Sequence, residues 1–412
     1  MSSRLLESST QVRRDLATMW AAPVDVVDAR RGEADASSGG ASVLHTFAVL
    51  PSTRRPRIVA SGSPAATAAT VRRFSHSTGI LGRSARLALA AAIRTGVAGL
   101  VLRDRLAVIG AEAAADSVVA RLGEIFGVEV AIGMSVGSVR ANRKPVLHVV
   151  TPDGVTLGFA KLGLSPLARS LVRAEATNLR LLAEHDFEHL ELPRVIHHDT
   201  WQEHELLVMT ALQAPFRRRH RRDTLPVRAM AELAAFGGAS TLPLAESTWF
   251  SGVQAAADPA DPSSRRFESL LERIVDTSGE RPIRFGSWHG DWGPWNMAWA
   301  GERVRLWDWE RFARDVPCGL DALHYALGGE PEKAPLSGLR ESAAKALAPF
   351  SVDRDETDLL LALYVTALTA RFLPDSLTEH GAQLRPRVAA LLDLLEALPA
   401  TGATRGLAEV RR

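Results

Sequence analysis

Cysteine is nearly absent from this sequence, since 412 residues include only one, Cys318. A single thiol cannot form an intramolecular disulfide, and it offers no cluster of metal ligands. This usage fits a reducing compartment, so we expect a cytoplasmic protein. The first 25 residues carry charges throughout and have no continuous apolar core, so we expect no secretory signal.

The sequence also lacks an excess of charge of one sign and a long hydrophobic run. It has 49 basic and 47 acidic residues, and the formal net charge of +2 gives no reason to expect nucleic acid or an anionic membrane as partner. The most apolar stretch, Leu87 to Leu102, is interrupted by Arg94 and is shorter than the roughly 20 residues of a spanning helix. We therefore predict no membrane span, but a packed helix that leads into a strand.

Apolar residues are abundant in short segments. They make up 46% of the chain, enough for two or three domain-sized units. In a first region, residues 1–120, the segments Val43–Leu50 and Pro56–Ala60 predict a hairpin, and helical spacing follows at Pro64–Phe74 and Ser84–Thr95. We predict an additional N-terminal α/β region there, which indicates no chemistry of its own and could act as a cap.

Residues 121–212 alternate between apolar and polar positions as strands do, around one long helix. The turn Pro152-Asp153-Gly154 separates two of the strands. The pattern predicts a small antiparallel sheet, then the helix, then further strands. The predicted helix is Ser165–His185, and the predicted strands are Val128–Met134, Pro145–Val150, Val155–Lys161, Arg194–Asp199 and Glu205–Met209.

Residues 213–412 have mostly helical spacing, so the whole sequence predicts an α+β protein. One interruption is clear: in Met297–Trp309, the turn Ala300-Gly301-Glu302 separates two short alternating segments and predicts a hairpin. The predicted helices are Pro226–Phe236, Arg265–Val275, Leu320–Leu327, Leu339–Ala348, Glu356–Phe372 and Arg387–Leu398.

Acidic and amide side chains lie on both sides of this hairpin, in SWHGDWGPWN at 287–296 and LWDWE at 306–310. Phosphoryl transfer needs a carboxylate that orients the attacking hydroxyl and oxygen ligands that hold magnesium against the phosphates. Asp291 is placed to accept the hydroxyl proton, while Asn296 and Asp308 offer an amide and a carboxylate oxygen to a hard cation. For one Asp or Asn alone, an ordinary acidic turn would be the better interpretation.

The combination resembles the catalytic segment of the aminoglycoside phosphotransferase and choline kinase superfamily. This resemblance implies a two-lobed protein-kinase-like fold, with an antiparallel-sheet N-lobe that binds nucleotide, a mainly α-helical C-lobe, and ATP and Mg²⁺ as cofactors. It assigns Asp291 as the catalytic base, Asn296 and Asp308 as magnesium ligands, and Glu310 as a supporting residue. We expect His289 to support the loop by hydrogen bonds rather than to titrate.

A kinase-like N-lobe, here residues 121–212, also needs a strand lysine for the phosphates and a helix carboxylate that holds this lysine. Lys161 ends an apolar segment and is the only lysine between Lys144 and Lys333. Glu175 lies in the following helix, where the family places its pairing glutamate. The alternative is a surface lysine and a solvated helix face.

The nucleotide-covering loop and the hinge are less distinctive. The segment 133–138 contains small residues, and Gly133, Ser135 and Gly137 would let main-chain N–H groups approach phosphate oxygens, although the Gly-x-Gly-x-x-Gly pattern of protein kinases is missing. Thr210 and Leu212 follow the last strand and resemble the hinge that contacts adenine. We predict nucleotide contacts from all five residues.

Two further groups of residues have more than one interpretation. The basic run Arg217–Arg222 could attract an anionic acceptor, because guanidinium groups bind phosphate well, or it could be a solvated loop. The tryptophans around the hairpin are expected to pack, and Trp292 could also stack on substrate. These tryptophans are Trp288, Trp292, Trp295, Trp299, Trp307 and Trp309.

The acceptor is expected to be a small hydroxyl-bearing molecule. Protein kinases usually carry Arg at Gly290, Lys at Gly293 and Asp-Phe-Gly at Asp308-Trp309-Glu310, and all three differ here. Aminoglycosides, sugars and amino alcohols remain open as acceptors, as does a glycan-precursor kinase with residues 1–120 as cap. A nucleotide-binding pseudokinase that serves as a regulatory scaffold is the alternative from another class. The sequence specifies neither acceptor nor oligomeric state.

Overall fold

The computed structural model describes residues 3–30, 42–74, 80–97, 104–111, 116–136, 144–212 and 224–398. Close contacts divide the chain into two compact units, and each is described by itself. The first unit contains residues 1–180 and 193–211, and the second contains residues 181–192 and 212–412.

The elements of the described residues follow in chain order. The strands are β1 (Asp25–Arg30), β2 (Ser42–Ser52), β3 (Arg55–Ser61), β4 (Asp104–Gly110), β5 (Ala131–Ser135), β6 (Val146–Val150), β7 (Thr156–Gly163), β8 (Leu190–Glu191), β9 (Val195–Trp201), β10 (His204–Met209), β11 (Ser240–Pro243), β12 (Pro282–Trp288), β13 (Met297–Ala300), β14 (Arg303–Leu306) and β15 (Ala313–Pro317). The helices are α1 (Ser3–Ala17), α2 (Pro64–Arg73), α3 (Ile80–Arg94), α4 (Val118–Phe126), α5 (Pro166–Leu182), α6 (Val227–Ala235), α7 (Thr248–Gln254), α8 (Pro262–Ser278), α9 (Leu320–Leu327), α10 (Leu336–Leu347), α11 (Arg354–Leu377) and α12 (Arg385–Ala397).

One antiparallel sheet dominates the first unit. In the part of the unit that the structure describes, nine strands pair in the order β1-β4-β2-β3-β5-β6-β7-β10-β9. The sheet is therefore larger than the small sheet that the sequence predicts. Strand β3 of the N-terminal region pairs with β5, and Ala60 lies opposite Gly133. A strand edge exposes unpaired N–H and C=O groups, and pairing β3 with β5 satisfies both edges at once.

The two halves of this sheet also share a hydrophobic core on one face. Leu16 of α1, Phe47 of β2 and Leu122 of α4 belong to the same buried cluster as Ile132 of β5 and Leu206 of β10. Each is at most 2% exposed. Residues 1–120 are thus joined to the strands of residues 121–212 by main-chain hydrogen bonds and by a common core.

Helix α2 packs on the opposite face of the sheet. Ser63 caps it, since its Oγ accepts a hydrogen bond from Ala66 N at 3.1 Å, and Pro64 stands at the first helical position, where no N–H is needed. Its buried Ala66 packs against Ala131 of β5 and Val150 of β6. The helices and the hairpin predicted for residues 43–95 are confirmed.

The second unit is mainly helical around α11. This helix is apolar on nearly all sides, as expected of a helix at the centre of a bundle, and Leu361, Tyr364 and Thr369 are buried within it. The predicted helices of this unit are confirmed. Together with the sheet-rich N-terminal part, they confirm the α+β class and the division expected of a kinase-like fold.

The predicted hairpin is confirmed as β13 and β14, but it is not the one interruption of the helical pattern. In the described part of this unit there is also a three-stranded sheet, in the order β11-β12-β15. β12 alternates between exposed and buried positions only in its first half and is then buried on both faces, so its sequence lacks the period of a half-exposed strand. β15 is short and ends in Pro317.

Among the described residues, one helix is long and apolar enough by composition to cross a membrane, namely α11. Its apolar window is 72% buried within the protein. A core helix passes the same test of length and composition. The stretch Leu87–Leu102 extends from α3 into residues 98–103, which lie outside the described residues.

Candidate active site

The loop of residues 289–296 connects β12 to β13 in the second unit. It begins where the middle strand of a sheet ends, because β12 pairs with both β11 and β15. At Gly290 the backbone has φ of +80°, and a Cβ there would lie 2.5 Å from the carbonyl oxygen of Arg311. Both the left-handed backbone and this close approach favour glycine.

An acidic residue and a basic residue fix the backbone at the start of this loop. Asp321 of α9 accepts hydrogen bonds from His289 N at 2.7 Å and from Gly290 N at 3.0 Å. Burial raises the pKa of Asp321 to about 7, although both donors act to lower it. Arg371 of α11 donates to the Gly290 carbonyl oxygen at 2.8 Å, and burial lowers its pKa to about 10. The sequence motif at 287–296 predicts neither Asp321 nor Arg371, since both lie far along the sequence from the main-chain atoms that they bind.

His289 is fully buried and bonds to the main chain through both ring nitrogens. Its Nδ1 accepts from Asp291 N at 3.2 Å, and its Nε2 lies 3.2 Å from Trp307 O. A carbonyl oxygen can only accept, so Nε2 carries the proton. Burial lowers the pKa of His289 to about 4, which keeps the ring neutral. The ring therefore ties the loop to the end of the β13–β14 hairpin.

Asp291 and Asn296 are joined directly. Asn296 Nδ2 donates to the Asp291 carbonyl oxygen at 3.0 Å and to Asp291 Oδ2 at 2.9 Å. These two bonds occupy both hydrogens of the amide and leave its Oδ1 as the atom able to meet a cation. Asn296 is buried, whereas the Asp291 side chain is 33% exposed and open to a ligand.

A histidine that the sequence analysis missed contacts the other oxygen of Asp291. His324 Nε2, on α9, lies 3.0 Å from Asp291 Oδ1, and the hydroxyl of Tyr364, on α11, lies 3.1 Å from His324 Nδ1. Burial, the largest single influence, acts to raise the pKa of Asp291, but the hydrogen bond from His324 and the electrostatic interactions with His324 and His289 together lower it below its ordinary value. No local pattern could reveal this contact, because the packing of α9 and α11 makes it.

Asp308 follows β14, and the following residues 309–311 form a single 3₁₀ turn. The backbone of Asp308 is left-handed, with φ of 75° and ψ of 57°. This conformation is unusual for a residue with a side chain and is often found at functional sites. Asp308 and Glu310 bring carboxylate oxygens within 4.8 Å of each other. Carboxylate oxygens of this kind, like the amide oxygen Asn296 Oδ1, are ligands that suit a hard cation such as Mg²⁺.

The tryptophans around the hairpin differ from one another in exposure. Trp292 is 0% exposed, so it cannot stack on a substrate, and the interpretation that it packs is the better one. Trp295 was expected to pack, yet it is 50% exposed. Its ring lies over Gly293, where a Cβ would approach ring atoms to 2.4 Å. The glycine therefore permits an exposed indole beside Asn296.

In the first unit, Lys161 and Glu175 form the pair that the sequence predicted. Lys161 Nζ donates to Glu175 Oε1 at 2.7 Å and to Oε2 at 2.6 Å. Glu175 is 0% and Lys161 7% exposed, so the surface lysine and the solvated helix face are both excluded. Lys161 lies on β7 opposite Val146 of β6 and Leu207 of β10.

The predicted phosphate loop needs a correction in its first half. Gly133 and Ser135 belong to β5 rather than to a loop, and Gly133 pairs with Ala60 and His148. A Cβ at Gly133 would lie 2.1 Å from Thr70 Oγ1, so the glycine allows α2 to pack on the sheet. Gly137 lies outside the described residues.

The segment proposed as a hinge begins directly after β10. Thr210 pairs with Arg194 through its main-chain N–H, at 2.9 Å from Arg194 O, and its Oγ1 accepts from Arg194 N. Leu212 is 7% exposed. Adenine recognition by Thr210 and Leu212 stays a prediction. The run Arg217–Arg222 lies outside the described residues.

No protein-family model matches the sequence, and no curated protein is significantly similar to it. Among solved structures, it resembles a thermostable mutant of the aminoglycoside phosphotransferase APH(4)-Ia in complex with ADP and hygromycin B, at 15% identity and a TM-score of 0.49, over 70% of this chain and 99% of the other. Spectinomycin phosphotransferase APH(9)-Ia, in complex with ADP and spectinomycin, is 11% identical with a TM-score of 0.39, over 68% of this chain and 98% of the other. A protein named as a putative fructosamine-3-kinase from Haemophilus somnus is 15% identical with a TM-score of 0.39, over 68% of this chain and 96% of the other. Likenesses of this size do not identify an acceptor.

Proposed function

We propose that this protein is an ATP- and Mg²⁺-dependent phosphotransferase that moves the γ-phosphate of ATP to a hydroxyl group of a small molecule. The observation that carries the proposal is the Asp291–Asn296 pair, in which one amide orients the carboxylate through Nδ2 and keeps Oδ1 for a cation. A base beside a cation ligand is what phosphoryl transfer requires. We place the reaction in the cytoplasm, where ATP is available.

Asp291 acts as the general base in this proposal. The acceptor hydroxyl gives its proton to the Asp291 carboxylate, its oxygen bonds to the γ-phosphorus, and the bond between that phosphorus and the β–γ bridging oxygen breaks. ADP leaves with the electron pair of the broken bond. The hydrogen bonds that Asp291 accepts from Asn296 and His324 support this role, because they hold an ionised carboxylate that can accept a proton.

The cation would be held by Asn296 and Asp308, with Glu310 beside Asp308. When bound, Mg²⁺ would supply positive charge that offsets the charge developing on the phosphates. Lys161 would contact the phosphates, and Glu175 holds its ammonium group in place by two short hydrogen bonds. Ser135 and Gly137 remain proposed phosphate contacts.

Trp295 favours an acceptor that contains a ring. A half-exposed indole within the catalytic loop offers a flat apolar surface, and the C–H face of a sugar or cyclitol ring stacks well on such a surface. We expect Trp295→Ala to raise the KM for the acceptor about tenfold and to leave the KM for ATP unchanged. Trp295→Phe keeps a flat ring and is the matched control. Equal KM values in all three proteins would exclude the stacking role.

The experiment that tests the function is transfer of labelled γ-phosphate from ATP to a panel of aminoglycosides, sugars and amino alcohols. We expect a phosphorylated product from a ring-bearing polyol or amino sugar, and no product without Mg²⁺. ATP binding without turnover on any member of the panel would instead favour the nucleotide-binding scaffold.

A further inference from the structure

Both oxygens of the Asp291 carboxylate are held by side chains of the second unit. Asn296 Nδ2 lies 2.9 Å from Oδ2, and His324 Nε2 lies 3.0 Å from Oδ1. The Asn296 contact spans five residues within one loop, whereas His324 lies on α9, 33 residues away from Asp291. His324 therefore links the proposed base to the helical core, which the loop alone cannot do.

The direction of these hydrogen bonds follows from the chemistry of the groups. An ionised carboxylate can only accept, so His324 Nε2 must carry a proton toward Asp291. In a neutral imidazole the other nitrogen, Nδ1, is then an acceptor, and the Tyr364 hydroxyl, 3.1 Å away, must donate to it. Burial lowers the pKa of His324, which favours this neutral form. The Asp291 carboxylate thus sets the tautomer of His324, and Tyr364 stabilises this tautomer by donating to Nδ1.

The surroundings of the His324 ring restrict its rotation. The side chain is 3% exposed, so the ring is enclosed by its neighbours. The rings of Tyr364 and Trp295 lie at 5.9 and 6.2 Å between centroids, both in edge-on orientation. A ring held in this way gives its hydrogen bond in one fixed direction.

We propose that His324, held in one tautomer by Tyr364, is a positioning residue that orients the Asp291 carboxylate for proton abstraction from the acceptor hydroxyl. This inference rests on the proposed function. Asp291 is 33% exposed, and without His324 only one of its carboxylate oxygens, Oδ2, would be held by a side chain, that of Asn296. Misplacing a base by about 1 Å is enough to lower a rate about 100-fold.

The alternative is that His324 only fills space in the core. Two substitutions separate these roles. His324→Gln keeps an N–H donor at similar reach, and His324→Leu fills the space without a donor. We expect His324→Leu to lower kcat about 100-fold with the KM for ATP within about twofold, and His324→Gln to recover kcat to within about tenfold of the wild type. Equal kcat values for the two variants, with equal melting temperatures, would overturn the proposal.

Tyr364→Phe tests the second link, since it removes only the hydroxyl. We expect kcat to fall about tenfold in the wild-type background and to remain unchanged in the His324→Leu background, because Tyr364 acts through His324. Equal losses in both backgrounds would show that Tyr364 acts independently and would overturn this part. Nitrogen-detected NMR of the histidine side chains should report the Nε2–H tautomer for His324 in the wild type; the Nδ1–H tautomer would contradict the inference without any reference to turnover.

These outcomes distinguish the inference from the proposed function. A wild-type protein that phosphorylates no acceptor would overturn the function and the role of His324 in it. A wild-type protein that is active, while His324→Leu and His324→Gln are equally impaired, would overturn the role of His324 alone. Binding of Mg·ATP, measured by calorimetry on the same variants, should stay unchanged throughout.

Discussion

Two charged clusters among the described residues, one in each unit, are built on different principles. Lys161 and Glu175 neutralise each other in a buried bidentate ion pair. Asp291 instead receives hydrogen bonds from an amide and an imidazole, Asn296 and His324, and its side chain stays partly exposed. A buried ion pair resists rearrangement, whereas a carboxylate held by neutral donors keeps its charge for chemistry. Removing Glu175 should therefore lower stability more than any substitution in the second cluster, where substitutions should lower turnover and leave stability unchanged.

The largest effect is expected from Asp308→Ala in the second unit. Removing this carboxylate should lower kcat on the order of 10³-fold and raise the Mg²⁺ concentration needed for half-maximal activity, while the melting temperature stays unchanged. Asp315→Ala is the matched control, since Asp315 is also a left-handed aspartate, with φ of 58°, and is exposed. Loss of turnover in both variants would point to backbone strain instead of a cation ligand.

Glu175→Ala, in the first unit, should act mainly on the stability of the protein. It leaves the Lys161 ammonium group buried without its carboxylate, which we expect to lower the free energy of unfolding by about 3–5 kcal/mol. Chemical denaturation measures this change. Glu341→Ala is the control, since it breaks an exposed pair with Lys345, and we expect no measurable change. A stable Glu175→Ala protein would remove the contrast between the clusters.

Gly133→Ala should have a smaller effect, on the packing of α2 against the sheet. The added methyl group would meet the Thr70 side chain, and we expect a loss of about 1–3 kcal/mol in the free energy of unfolding. Gly252→Ala adds a methyl group where nothing lies within 4 Å, and it should be neutral or slightly stabilising. If Gly133→Ala left stability unchanged but raised the KM for ATP, the phosphate-loop role would be favoured again.

Neutralising the arginines of the run Arg217–Arg222 should have the smallest effect. If the run attracts an anionic acceptor, its loss raises the KM for an acidic acceptor about two- to fivefold at low salt and leaves a neutral acceptor unaffected. Raising the salt concentration should raise the KM of the wild-type protein for an acidic acceptor in the same way, because salt screens the charge of the arginines. An unchanged KM for every acceptor would leave the run as a solvated loop.

How well the sequence predicts a residue of the candidate site depends on how many residues separate it from its partner along the chain. Lys161 and Glu175 are 14 residues apart on a strand and the next helix, and the resemblance to kinase-like proteins, which pair a strand lysine with a helix glutamate, predicts both. Asp291 and Asn296 are five residues apart within a single loop. His324 bonds to Asp291 across 33 residues, and the contact exists because α9 packs beside the loop. A pattern of local spacing holds no information about such a contact.

The sheet shows the same limit. The predicted strands of residues 121–212 are present with small differences at their ends, because alternation of apolar residues is local. That β3 pairs with β5 is a long-range choice between two strand edges, and no local pattern predicts it. Gly133 was assigned to a loop for the same reason, since its partner Thr70 lies on α2, far away in sequence.

The most direct test of phosphoryl transfer with Asp291 as the base is a single-turnover measurement on Asp291→Asn with the acceptor identified for the wild type. Asparagine keeps the shape of the side chain and removes its charge. We predict that Mg·ATP binds with an affinity within about twofold of the wild type, while transfer to the acceptor falls by at least about 10³-fold. Transfer at a rate near that of the wild type would contradict the assignment of Asp291 and the mechanism built on it.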